Sequence, residues 1–157
     1  MARLGAFAAA LVVVLDQLGK WWILDHFAAR PGTVEVTPFF NIVLVMNRGV
    51  SFGLVPVAAP WGPWLFAAIA AVIVAVLAVW LARTRERLEA LAIGLVIGGA
   101  VGNVIDRLRH GGVVDFLDFH LGGYHWPAFN AADAAIVCGV AALLYAGLCR
   151  GRERPKK

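Results

Sequence analysis

The sequence predicts an all-α integral membrane protein, a bundle of four transmembrane helices carrying a small β-sheet on its outer face. Three observations predict it. Of the 157 residues, 61% are hydrophobic and only 15% charged, whereas a soluble domain carries about 45–50% apolar and about 25% charged residues. The mean hydropathy is +0.79, and the excess sits in long uncharged runs: Trp61 to Ala82 is 22 residues without a charge, where about 20 suffice to cross the hydrocarbon. Third, the basic residues cluster at Arg3, at Arg83, Arg85 and Arg87, and in the tail Arg150 to Lys157. An even number of spans leaves all three clusters on the cytoplasmic side, as the positive-inside bias requires, so both termini are expected in the cytoplasm. The net charge of +4 is therefore no nucleic-acid footprint, since each cluster abuts a span end. One membrane domain, residues 1–157, is expected.

The first span is expected over about residues 4–27. Arg3 followed by an apolar run resembles the start of a secretory signal, but no small-x-small cleavage site follows, and the run continues through Asp16 and Lys20 into Trp21 and Trp22. It reads as a retained span. Lys20 lies one helical turn after Asp16 and is its natural partner, which makes this pair structural.

Residues 28–60 lie outside. Thr33 to Thr37 and Phe40 to Met46 are rich in β-branched residues with partial alternation, broken by Pro38 and Gly49, so short strands are expected over about 33–53. Pro56, Pro60 and Pro63 with Trp61 and Trp64 suggest a short interfacial segment, because Trp favours the headgroup level. The second span follows at about 61–82 and the third at about 88–107. The third carries Gly94, Gly98 and Gly102 at spacing four, which lets helix backbones approach closely in lipid. Residues 108–125 read as a second outer loop rich in Gly and His, and the fourth span as about 126–149. Cys138 and Cys149 lie 11 residues apart in that last run, about 16 Å along a helix. They cannot bridge each other there and read as small packing residues.

Polar residues interrupt the outer ends of these spans. Asn103, Asp106 and Arg107 share a helix face at i, i+3 and i+4. Asp133 is expected about two turns into the fourth span, with Asn130 three residues earlier on the same face. Asn47 and Arg48 sit in the outer β segment, positioned over the same cavity. Charges at membrane depth cost roughly 2.5–3.5 kcal/mol each on insertion scales, so they mark functional sites. The four histidines are scattered and no His-Glu-x-x-His or Cys/His cluster occurs, so no metal and no cofactor is expected. Ser51 has no evident base. Two carboxylates sharing a proton can serve as general acid and base, with Asp133 as one. The residues alone leave Asp106 and Asp115 open as the other, Asp106 being the more obviously intramembrane.

Five blocks appear in order: Asp16 to Lys20, Asn47 to Gly53, Gly98 to Arg107, Val113 to Phe116, and Phe129 to Asp133. In these the chain resembles the prolipoprotein signal peptidases, or signal peptidase II, of bacterial inner membranes, and the resemblance covers essentially the whole chain. It implies an aspartyl endopeptidase of the inner membrane, with its site near the periplasmic leaflet. Such an enzyme removes signal peptides from lipoprotein precursors on the amino side of a cysteine carrying a diacylglyceryl group. It implies Asp115 and Asp133 as the catalytic pair. It implies Asn47, Asn103, Arg107 and Asn130 as residues lining the site and holding substrate or the cyclic peptide inhibitor globomycin. Asp16, Lys20, Asp106 and Gly49 are left as supporting residues. A monomer in contact with membrane lipids and lipidated substrate would suffice. The rival from another class is a small transporter or proton channel using intramembrane carboxylates; that would show polar groups along a whole path and often an internal repeat, which this sequence does not.

Overall fold

The structure is a computed structural model and describes residues 1–48 and 61–152. Gly49, Ser51, Pro56 and Pro60 lie outside the described residues, as does the tail from 153. Four helices are long and apolar enough to cross a membrane: α1 (Ala2–Ala29), α2 (Gly62–Arg83), α3 (Arg87–His110) and α4 (Ala131–Arg152). Between them lie strands β1 (Val34–Thr37), β2 (Phe40–Asn47), β3 (Val113–Leu121) and β4 (Tyr124–His125). The strands form one antiparallel sheet in the order β1-β2-β3-β4.

Helix α3 is the centre of the bundle and packs against the other three. Its glycines make this possible. A Cβ on Gly98 would lie 2.6 Å from the carbonyl oxygen of Ala9 in α1, and one on Gly102 would lie 2.6 Å from Asp16 Oδ2. Gly94 meets the backbone of Gly5, and on the opposite side Gly99 meets Ala132 of α4. Because lipid gives no hydrophobic push between helices, such close backbone packing holds them together. The outward faces remain apolar: Val72 and Val76 of α2 and Val137, Leu144 and Leu148 of α4 are exposed. Cys138 is also exposed, so it faces outward rather than filling a packed gap as expected.

Gly5, Leu81 and Ala90 meet at one end of the bundle, which gathers Arg3, Arg83, Arg85 and Arg87 there. Trp80 Nε1 and Thr84 Oγ1 both donate to Glu89 at this end, tying α2 to α3. At the other end the last turns of α1 lie under the sheet, with Ile23, Phe27 and Val114 forming a shared core. The α2 and α4 backbones stay apart, with no Cα pair within 8 Å among the described residues, although Leu77 and Leu81 of α2 and Leu143 of α4 join one apolar cluster with Ile93.

Two expectations need correction. Residues 113–121 are not a loop. They form β3, which pairs with β2 from Phe40↔Phe119 to Asn47↔Val113 and buries Val113, Val114 and Asp115. The fourth helix begins at Ala131, not at Trp126. The residues before it are taken up by β3, because Trp126 N–H donates to Phe119 and Phe129 exchanges backbone bonds with Leu117. Asp133 thus lies in the first turn of α4, at the bundle's rim rather than two turns deep.

Candidate active site

Asp133 and Asn130 meet because α4 starts where it does. Asn130 caps the helix. Its Oδ1 accepts from Asp133 N–H at 2.9 Å, and Asp133 Oδ2 accepts from Asn130 N–H at 3.3 Å. This reciprocal pair satisfies donors that a helix start leaves without intrahelical partners. A third such donor, Ala132 N–H, is accepted by Asp16 Oδ1 at 3.0 Å. A carboxylate there also meets the positive end of the helix dipole.

Asp115 arrives from β3. A register shift between Ile42 and Val45 puts an extra β2 residue opposite the stretch of β3 next to Asp115. Such bulges bend a strand and re-aim its side chains. Asn47 Nδ2, diagonal to Asp115 across the two strands, donates to its Oδ2 at 2.9 Å. Asn130 Nδ2 donates to its Oδ1 at 2.6 Å. Asn130 therefore touches both aspartates. Asn103 closes the circuit: its Nδ2 donates to Asp133 Oδ1 at 2.8 Å, and its Oδ1 accepts from Asn130 Nδ2 at 3.3 Å. Burial pushes the Asp115 carboxyl up to about 6; the nearby Asp133 charge acts in the same direction, against the hydrogen bonds from Asn47 and Asn130.

Asp106 and Asp16 are occupied differently. Lys20 Nζ lies 2.8 Å from Asp16 Oδ2 and 2.8 Å from Asp106 Oδ2. Gln17 Nε2 donates to Asp106 Oδ1 at 2.9 Å, and Val114 N–H to Asp106 Oδ2 at 3.1 Å. Both carboxylates are thus consumed in tying α1, α3, α4 and β3 together. Asp115 and Asp133 make no ion pair within 4.0 Å among the described residues, and Asp106 lies on the Lys20 side of Asn103.

The structure brings Asn47, Asn103, Asn130, Asp115 and Asp133 into one hydrogen-bonded cluster. Arg107 stands at its edge. Its guanidinium lies 5.7 Å over the Phe66 ring of α2 and donates to the Asn103 carbonyl at 3.2 Å, within the field of Asp133, Asp106 and Asp115. Asn103, Asp106 and Arg107 therefore share a helix face but serve three different neighbours. Gln17 was missed by sequence reasoning; its only signal was its place between Asp16 and Lys20. His120 and His125, read as scattered, are stacked at 4.9 Å. His125 Nδ1 lies 2.9 Å from Asp118 Oδ1, and this contact, foremost, holds the Asp118 carboxyl below its ordinary value.

Known proteins are similar to this chain over most of its length. A lipoprotein signal peptidase of Rhodopseudomonas palustris (strain ATCC BAA-98 / CGA009) is 50% identical over 151 residues, covering 93% of this chain and 92% of the relative. One of Nitrobacter hamburgensis is 47% identical over 153 residues, covering 94% and 93%. One of Burkholderia vietnamiensis is 48% identical over 143 residues, covering 90% and 86%. A bacterial membrane enzyme solved by the in meso method at 2.3 Å superposes with a TM-score of 0.78 at 30% identity, covering 98% of this chain and 93% of the other. A second, solved at 1.9 Å, gives 0.76 at 32% identity, with 92% of each chain covered. Residues 8–149 match the peptidase A8 family, signal peptidase (SPase) II, and this multi-pass membrane protein belongs to that family.

Proposed function

We propose that the chain is an aspartyl endopeptidase. It cleaves the signal peptide from diacylglyceryl-modified prolipoproteins on the amino side of the lipidated cysteine, with Asp115 as general acid and Asp133 as general base. The observation that carries this reading is the bridge through Asn130. It holds two buried or part-buried carboxylates on one amide and backbone unit, while the other two buried carboxylates of this region are both ion-paired with Lys20. Asp133 takes a proton from water as the water oxygen bonds to the scissile carbonyl carbon. Asp115 gives its proton to the carbonyl oxygen. On collapse, Asp133 passes the proton it took from water to the leaving nitrogen as the carbon–nitrogen bond breaks, and Asp115 takes back a hydroxyl proton as the new carboxyl group forms. The pair titrates as a unit, and an acid near 6 suits work close to neutrality.

The lipoprotein signal peptidases among the relatives support the substrate class. So does the separation of the α2 and α4 backbones, which bring no Cα pair within 8 Å among the described residues: a substrate anchored by acyl chains can reach Asp133 sideways from lipid. Asn47, Asn103, Arg107 and Asn130 are positioned to hold the peptide, and a globomycin-type cyclic peptide would occupy the same place. The basic end of the bundle faces the cytoplasm by the positive-inside bias, which puts the opposite, sheet-bearing end at the outer leaflet of the inner membrane. Every residue of the pair comes from one chain, so a monomer is sufficient.

The test is a gel-shift assay of the purified protein in detergent with a diacylglyceryl-modified precursor. The parent cleaves it; Asp115→Asn and Asp133→Asn, inserted and folded, lose about 10²- to 10⁴-fold in rate. Retained turnover in both variants overturns the assignment.

A further inference from the structure

We propose that Lys20 is a positioning residue for the Asp115–Asp133 pair, acting by fixing the orientation of the Asn103 side-chain amide. The inference rests on the acid–base reading of that pair. Lys20 touches neither aspartate in an ion pair; its ammonium meets Asp16 Oδ2 and Asp106 Oδ2, each at 2.8 Å, and Asn103 Oδ1 at 3.1 Å. An ammonium has three donors and no acceptor. Three acceptors surround this one, and Lys20 is 2% exposed, so its hydrogen-bonding capacity is filled by protein.

A side-chain amide is nearly symmetric in shape, so its neighbours decide which end is oxygen. Lys20 can only donate, which requires the oxygen of Asn103 on its side and the NH₂ toward Asp133, where Nδ2 lies 2.8 Å from Oδ1. A flipped amide would point NH₂ at an ammonium and oxygen at a carboxylate, replacing two attractive contacts by two repulsive ones. Asn130 Nδ2 also favours the observed orientation, but as a neutral donor at 3.3 Å against the charged ammonium at 3.1 Å, and charge-assisted bonds are the stronger ones. Lys20 is therefore the stronger lock. Among the described residues, the charged groups around Asn103 and Asp133 are Asp16 and Lys20 of α1, Asp106 and Arg107 of α3, and Asp115 of β3.

The alternative is that Lys20 merely staples α1 to α3. The two are separated by kinetics on folded protein in detergent with the lipidated precursor. Positioning requires that Lys20→Met lower kcat by about 100-fold with KM unchanged and the kcat–pH profile displaced from the parent's. It also requires that Lys20→Met/Asn103→Ala be no slower than Asn103→Ala alone, since the effect passes through one amide. If Lys20→Met does not fold, Lys20→Met/Asp106→Asn removes one charge of each sign and is compared with Asp106→Asn. A Lys20 variant with lowered Tm but the kcat and pH profile of its reference overturns the positioning role, as do losses that multiply in the double variant. A folded parent that does not cleave instead overturns the acid–base reading beneath it.

Discussion

Asn130 and Asp133 cap one another at the start of α4, side chain to backbone in both directions, and Asn130 also donates to Asp115. One residue thus starts a helix and joins two carboxylates. These duties use different atoms: Oδ1 caps, while Nδ2 holds Asp115.

Asn130→Ser separates them. A serine hydroxyl still caps the third helical N–H, but it has no amide to reach Asp115. The variant is expected to melt close to the parent while its cleavage rate falls by about 10²-fold, as for a displaced reacting group. Asn130→Ala should lose activity and, in addition, about 1 kcal/mol of stability. Circular-dichroism melting beside the gel-shift assay reads both. Equal melting of the two variants would show that the cap contributes nothing.

The glycine contacts predict a contrast between Gly102 of α3 and Gly147 of α4. A methyl on Gly102 would meet Asp16 Oδ2 at 2.6 Å, so Gly102→Ala has to displace the carboxylate that accepts Ala132 N–H. Overpacking of this kind costs about 1–3 kcal/mol, and the displaced Asp16 loosens the start of α4. Gly147 has nothing within 4 Å of its added Cβ, so Gly147→Ala should leave folding and cleavage unchanged. Melting temperatures of the two in the same detergent check the contrast.

Asp16→Asn tests the support role assigned to that residue. Lys20 keeps Asp106 as an ion partner, and an asparagine oxygen can still accept from Ala132 N–H. The expected result is a lower folded yield and about 1–3 kcal/mol less stability, with cleavage per folded molecule retained. Size-exclusion recovery and specific activity measured on the same preparation separate the two effects.

Much of this was legible in the sequence, for physical reasons. Spans declare themselves through uncharged length, and the Gly94, Gly98 and Gly102 ladder declares close packing; both are local signals. The Asp16–Lys20 pair was legible because i and i+4 meet on any helix. Strand β3 was not. Val113 to Leu121 carries two aspartates between Gly111–Gly112 and Gly122–Gly123, and its partner β2 lies about 70 residues away, beyond what a local pattern reports. The depth of Asp133 was misjudged by reading Asn130 as helix interior. Asn-x-x-Asp before an apolar run is a cap signature, and it would have placed the helix start at Ala131. Which carboxylate Lys20 pairs with besides Asp16 depends on α1 and α3 being adjacent, a tertiary fact.

The last prediction concerns pH. Asp115 is raised in the folded protein from an ordinary value of 3.8 to about 6, chiefly by burial. Below about pH 4 the carboxyl is protonated in both folded and unfolded chains and the shift has no effect on stability. Between about 4 and 6 the folded chain binds the proton more tightly, so stability from this group falls as pH rises. Above about 6 both chains are ionised at this position and the loss levels off. Asp118 runs the opposite way. Its folded value is lowered by His125, so its contribution is present above the unfolded value and disappears as pH falls through the lowered one. Comparing the parent with Asp115→Asn cancels the Asp118 contribution. The stability difference between them should grow in favour of Asn from pH 4 to 6 and then level off, measured by thermal melting in one detergent across that range. A difference that is flat with pH would mean that Asp115 titrates as an ordinary carboxylate, and it would remove the basis for assigning it the acid role.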